Sequence, residues 1–170
     1  MENQKSKKKR AVSSESNDVG SKRHELYKGV IGKINSAIEA GYYLEAITLE
    51  ESLICDRFAS RFTYLCKDKE LEQKVEKKYL LGQNFYSMTL GDIKFIAEEI
   101  ETNIEIKDFC NDSVFEWRNK RNFALHEIAK LTETDTDTFA NKYSKLKEIA
   151  MDGLKVFREV DNLLRESKQS

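Results

Sequence analysis

The stretch that decides the fold is residues 139–164, FANKYSKLKEIAMDGLKVFREVDNLL. Its apolar positions Phe139, Tyr143, Leu146, Ala150, Gly153, Phe157, Val160 and Leu164 recur alternately four and three residues apart. That period collects them on one stripe of an α-helix, whereas a strand would need every second position. The spacing predicts a long helix over about 137–165, with Gly153 inside the stripe letting a neighbouring helix approach closely. A bundle-core helix accounts for this pattern better than a coiled-coil seam does.

The rest of the chain has the same helical character. There is no proline among the 170 residues, so the commonest helix breaker is missing. Apolar residues make up 39 % and charged residues 35 %, including 9 Phe and 7 Tyr, a mix that suits amphipathic helices with charged outer faces. The expected fold is all-α: an up-and-down bundle of four to five main helices.

The first helix is expected over about 22–40, ending at Gly41. The second, about 43–66, carries Tyr43, Ile47, Ile54, Phe58, Phe62 and Leu65 on one face. Residues 67–88 are ambiguous, since ELEQKVEKKYLL has helical propensity and GQNFYSM reads as a loop. A third helix is expected from Thr89 as N-cap, with Leu90, Ile93, Ala97 and Ile100 inward. A fourth runs from about Asp112 to Leu131, and the capping residues of TETDTDT end it. Residues 1–21 stand apart as a basic and polar tail, expected to be disordered, ahead of a folded domain over 22–170. Its KSKKKR run reads most simply as a solubilising tail; a nuclear signal or a nucleic-acid arm is the alternative. His24 is expected at the surface.

The net charge of −1 imposes no polyanionic partner, and local clusters would have to supply any attraction to phosphate. Cys55, Cys66 and Cys110 are odd in number and form no CxxC pair, so neither a disulfide framework nor a zinc site is indicated. No apolar run approaches the roughly 18 residues of a membrane span, and the start of the chain lacks a signal-peptide core. A cytoplasmic protein with no membrane partner is the expectation. No Gly-rich phosphate loop, HExxH, nucleophile elbow or carboxylate array of metal-ligand form is present, so no cofactor and no metal are expected.

What remains are the places where polar residues break an apolar stripe. On a wheel of the fourth helix, Val114, Trp117, Ala124, Leu125, Ile128 and Leu131 share a face, and Arg121 falls inside that arc. An arginine there is costly unless it is paired, snorkels or sits at a subunit interface. Beside the arc lies a strip of Arg118, Asn119, Asn122 and His126, in which Asn122 and His126 are one turn apart. A histidine can take and return a proton near neutral pH. An arginine offers a permanent planar cation matched to phosphate oxygens, and an asparagine can orient either. Together they suit phosphodiester chemistry without a metal. Arg121 and His126, however, lie about 140° apart on an ideal helix, so they converge only through a long side chain, a kink or a second copy. The second helix repeats the theme, with Glu50, Glu51 and Arg61 interrupting its face and Arg57 flanking. An internal ion-pair ladder is the simpler reading. The alternative has Arg57 or Arg61 holding a substrate backbone while Glu50 or Glu51 orients the reacting groups.

The segment WRNKRNFALHEIAKL on the penultimate helix, together with GYYLEAITLEESLICDRFASRF before it, resembles the HEPN superfamily (the higher-eukaryote and prokaryote nucleotide-binding domains). The resemblance spans residues 22–166 and rests on Arg121, the polar Asn122 and His126 four residues further on. It implies a metal-independent endoribonuclease, often a toxin of a toxin–antitoxin pair or a component of phage defence or RNA processing. It also implies a homodimer through the helix 112–131, with RNA as substrate and an antitoxin protein as a further partner. In such a site the RNA 2′-OH would be the nucleophile, leaving a 2′,3′-cyclic phosphate and a 5′-OH. His126 would move protons, Arg121 would stabilise phosphorane charge, Asn122 would position, and Arg118 would assist. A non-catalytic module binding a nucleotide, RNA or a partner protein is the alternative.

Overall fold

The computed structural model describes residues 17–128, 130 and 137–167, with only the backbone given at 17–20. Among them all regular secondary structure is helical, and no strand occurs. Helix α1 is Asn17–Glu39, α2 Tyr43–Leu65, α3 Lys69–Tyr79, and a short 3-10 turn at Phe85–Ser87 leads to α4, Leu90–Ile100. Helices α5 (Ile104–Phe109) and α6 (Phe115–Ile128) are joined end to end by a π-turn over Cys110–Val114. Helices α7 (Phe139–Ser144) and α8 (Leu146–Glu166) meet at Lys145, whose backbone stays right-handed helical.

Cross-helix contacts fix the directions. Lys33–Glu45 and Arg23–Asp56 run α1 antiparallel to α2. Glu101, just before α5, meets Arg61 near the end of α2, whereas Arg121 meets Glu51 nearer its start, so the α5–α6 rod is antiparallel to α2. Trp117 on that rod donates its Nε1–H to the Ile149 carbonyl at 2.9 Å, tying it to α8. The core is one cluster that includes Ile34, Ile54, Phe58, Phe62, Phe85, Ile93, Ile96, Trp117, Leu146 and Phe157.

The expected helices are present with shifted ends. Thr89 caps α4 as read, in a capping box with Asp92, and Leu90, Ile93 and Ala97 are buried. The 67–88 stretch supplies the additional helix α3, started by the Asp68 side chain accepting from the Glu70 N–H. The last long helix is expected over 137–165 and runs, with its turn at Lys145, over 139–166. Its stripe is buried from Leu146 on, but Phe139 is 65 % exposed, because α7 lies at the edge of the bundle. The motif helix starts well before Asp112: Asn103 caps α5 by accepting from the Ile106 N–H, and the π-turn carries the rod through. Residues 17–21, read as tail, belong to α1; nothing there, least of all a proline, stops the helix. The rest of the tail, Leu131 and most of TETDTDT lie outside the described residues. No described helix is long and apolar enough to cross a membrane.

Candidate functional site

The site is built where the α5–α6 rod crosses α2. Trp117, buried against Gly153 of α8, fixes the height and rotation of α6. One turn on, Arg121 points inward as the wheel requires, its side chain only 15 % exposed. It is paired there with Glu51 of α2, and its Nη1 donates to the Asn122 Oδ1 at 2.7 Å. The Arg121 Nε–H is buried and has no hydrogen-bond partner among the described residues. An arginine on an apolar arc is thus tolerated because a carboxylate from the facing helix neutralises it.

His126 lies one turn beyond Asn122 and is exposed, with no hydrogen bond or ion pair to any described residue. Arg121, Asn122 and Glu51 are therefore brought together, and His126 is not joined to them. Arg118 donates to the Asn119 Oδ1 at 3.1 Å and lies over the Phe115 ring, 5.5 Å from its centroid. It packs along the first turn of α4, where a Cβ on Gly91 would meet its Nη2 at 3.2 Å.

The other α2 residues divide. Arg61 makes two hydrogen bonds to Glu101, at 2.8 and 2.9 Å, and both are buried. Burial pushes the Glu101 carboxyl up, but Arg61 and the Asn103 and Thr102 backbone N–H groups outweigh it and hold the acid below its ordinary range. Arg57 sits 2.9 Å from Asp161 of α8 and over the Tyr27 ring. Both arginines join helices in the core, away from Arg121 along α2. The ladder expected within α2 is replaced by pairs between helices, since each partner comes from a different element.

Glu50 has no such partner. It is 0 % exposed, and neither carboxyl oxygen has a hydrogen-bond partner among the described residues. It fills the space that Gly153 leaves open, beside Trp117. Burial pushes its carboxyl up to about 9, so it is neutral at pH 7.

The loop between α3 and α4 closes one flank. Glu51, Ser52, Cys55, Asp56, Tyr86 and Thr89 line a cleft of about 330 Å³. Reading 82–88 as a plain loop missed Tyr86, and no periodicity there could have shown which helix it covers. Burial raises the Cys55 thiol to about 12, which removes it as a nucleophile near neutral pH. Among the described residues no cluster of three or more His, Cys, Asp or Glu side chains is placed to hold a metal ion.

Comparison with protein-family models, with curated proteins and with solved structures gives no match to this chain.

Proposed function

We propose that the protein is a metal-independent endoribonuclease of HEPN type, working as a homodimer in which two copies of α6 form one cleft. The observation that supports it best is the pairing of Arg121 with Glu51 and Asn122, which holds a guanidinium in place on the same helix as an exposed His126 that engages no described residue. Arg121 and His126 lie about 140° apart on an ideal helix, and a second α6 across a two-fold axis would supply the missing half. Phe123, 69 % exposed on the same helix, gives such an interface an apolar anchor.

In this reading the RNA 2′-oxygen attacks the adjacent phosphorus, and the bond from phosphorus to the 5′-oxygen breaks. The 2′-OH proton passes to one His126, and the second His126 protonates the leaving 5′-oxygen. Arg121 stabilises the equatorial oxygens of the phosphorane, with Asn122 fixing its orientation and Arg118 as an auxiliary phosphate contact. A toxin with a neutralising partner protein, phage defence and RNA processing are the settings that suit such an activity.

One observation favours a second reading, a non-catalytic RNA- or partner-binding module: the Arg121 charge is already matched by Glu51. A single experiment separates the two. Purified protein should cleave RNA in EDTA to 2′,3′-cyclic phosphate and 5′-OH ends, and His126→Ala should abolish cleavage with an unchanged helical spectrum. Cleavage that needs Mg²⁺, or that survives the substitution, rules the mechanism out. A chain that stays monomeric at micromolar concentration rules out the composite cleft.

A further inference from the structure

A second surface lies on α7 and α8, away from the Arg121–Glu51 pair. A groove of about 500 Å³ runs between α1, the start of α2 and α8. Tyr43, Ile38, Met151 and Leu154 give it apolar lining, and Lys147, Lys155 and Arg158 line its α8 side, with Glu39 from α1 opposing them. Lys155 is paired with Asp152 at 2.8 Å. Lys147 and Arg158 are exposed and make no ion pair with any described residue. They are eleven positions apart on one helix, about 16 Å along its axis.

Aromatic rings continue from the groove. Tyr43 packs on Tyr143 with centroids 5.6 Å apart, and Tyr143 stacks on Phe139 at 5.6 Å and 29°. Phe139, the outermost, turns most of its ring to solvent. Beside α7, a cleft of about 410 Å³ is lined by Phe123, Ala124 and Glu127 of α6 and by Asp137, Lys142 and Lys145, the last paired with Asp137.

We propose that this face binds single-stranded RNA, with Lys147 and Arg158 contacting phosphates along the α8 groove and the exposed Phe139 ring stacking a base beside α7. Cations that track a backbone, interleaved with ring faces that accept any base, are what single strands require. A duplex would hide its bases from such rings. That the strand is RNA rather than DNA rests on the ribonuclease reading above. An acidic protein segment would use the cations and leave the exposed Phe139 ring without a role, so the strand is the better fit. Because α6 and α7 residues line that cleft together, the face forms a track that reaches α6, the helix of His126.

The test uses binding, so that it does not depend on cleavage. His126→Ala protein is titrated into a fluorescein-labelled, unstructured RNA of about 12 nucleotides, and anisotropy is followed over a series of salt concentrations. Lys147→Ala/Arg158→Ala should weaken binding about tenfold or more. It should also make the log–log salt slope shallower by about 1.4, since each lost single-strand phosphate contact removes about 0.7. Phe139→Ala should weaken binding at unchanged salt slope. All three side chains are exposed, so the variants should keep the parent's helical signal. Binding and salt slope unchanged in the double variant overturn the proposal, as does a polyglutamate of equal charge that binds as tightly as the RNA. If wild-type protein fails to cleave while the double variant loses RNA, the nuclease reading falls and the track stands. Cleaving wild-type protein with indifferent variants gives the reverse.

Discussion

Glu51 on α2 and Arg121 on α6 are ion-paired, so the one cation that α6 directs into its apolar arc is neutralised by a helix from the first third of the chain. The pair is part-exposed, which limits its worth to stability, but it fixes the guanidinium beside Asn122.

Replacing Arg121 should therefore separate function from folding. If the chain is the ribonuclease proposed above, Arg121→Ala should lower RNA cleavage about 10²–10³-fold, as expected for removing a donor aimed at developing charge. It should cost less stability than breaking the fully buried Arg61–Glu101 pair, because the Glu51 left behind is part-exposed. Arg121→Lys keeps the charge but loses the planar fork that serves Glu51 and Asn122 together, so it should recover little of the activity. Cleavage assays beside urea denaturation measure both. A variant that unfolds and loses activity in proportion would make Arg121 a structural residue.

The Arg61–Glu101 pair should behave in the opposite way. It is buried, bidentate, and Glu101 also accepts from the Thr102 and Asn103 backbone N–H groups. Glu101→Ala leaves a buried guanidinium uncompensated and should cost about 3–5 kcal/mol. The folded Glu101 acid is held below its ordinary range, so its contribution is complete at neutral pH and lost as pH falls through the lowered value. Urea midpoints at pH 7 and in acid should show the wild type losing stability that Glu101→Gln no longer has to lose.

Much of this architecture is legible in the sequence, and the limits have a physical cause. Periodicity reports which face of a helix is buried, so the α8 stripe, the Thr89 cap and the inward turn of Arg121 all follow from spacing. It does not report what lies opposite. Glu51, Asp161 and Glu101 each find or supply a partner far away in the chain, and no local pattern encodes those pairings. Helix α3 is obscure because Val75 is its only buried residue, too little apolar signal to separate a helix from a charged loop. The strip of Asn122 and His126 was readable as a shared face, but that His126 engages no described residue was not.

Gly153 is a position where spacing and structure agree and a substitution tests both. A Cβ there would lie 2.5 Å from the Trp117 Cζ2 and would also collide with the Glu50 carboxyl. In an open helix, Gly→Ala would add stability. Here overpacking should win, costing about 1–3 kcal/mol and lowering the melting temperature by roughly 3–10 °C. Thermal unfolding followed by circular dichroism decides it, and an equal or higher melting temperature would show that the α2–α6–α8 crossing is loose.

Glu50 carries the remaining prediction. Its carboxyl is buried at that crossing without a hydrogen-bond partner among the described residues, and burial alone moves it from 4.5 to about 9. No described cation pairs with it, and Arg121, the nearby arginine of α6, is taken by the neighbouring Glu51. The sign follows from proton counting. Between about 4.5 and about 9 the folded chain holds a proton at Glu50 that the unfolded chain has released. Stability contributed by this group is therefore greatest at low pH and declines as pH rises through that window, by at most about 1.4 kcal/mol per unit. Glu50→Gln cannot ionise and should remove that component. Its stability relative to wild type should rise steadily from about pH 6 to about pH 9, read as the difference between urea midpoints so that other titrating groups cancel. Trp117 is the chain's single tryptophan and lies beside Glu50 at Gly153, so its emission in the folded wild type should change as pH approaches 9 and stay constant in Glu50→Gln. Parallel pH profiles for the two proteins would mean that Glu50 finds a proton acceptor or water at the crossing and is not held neutral by burial.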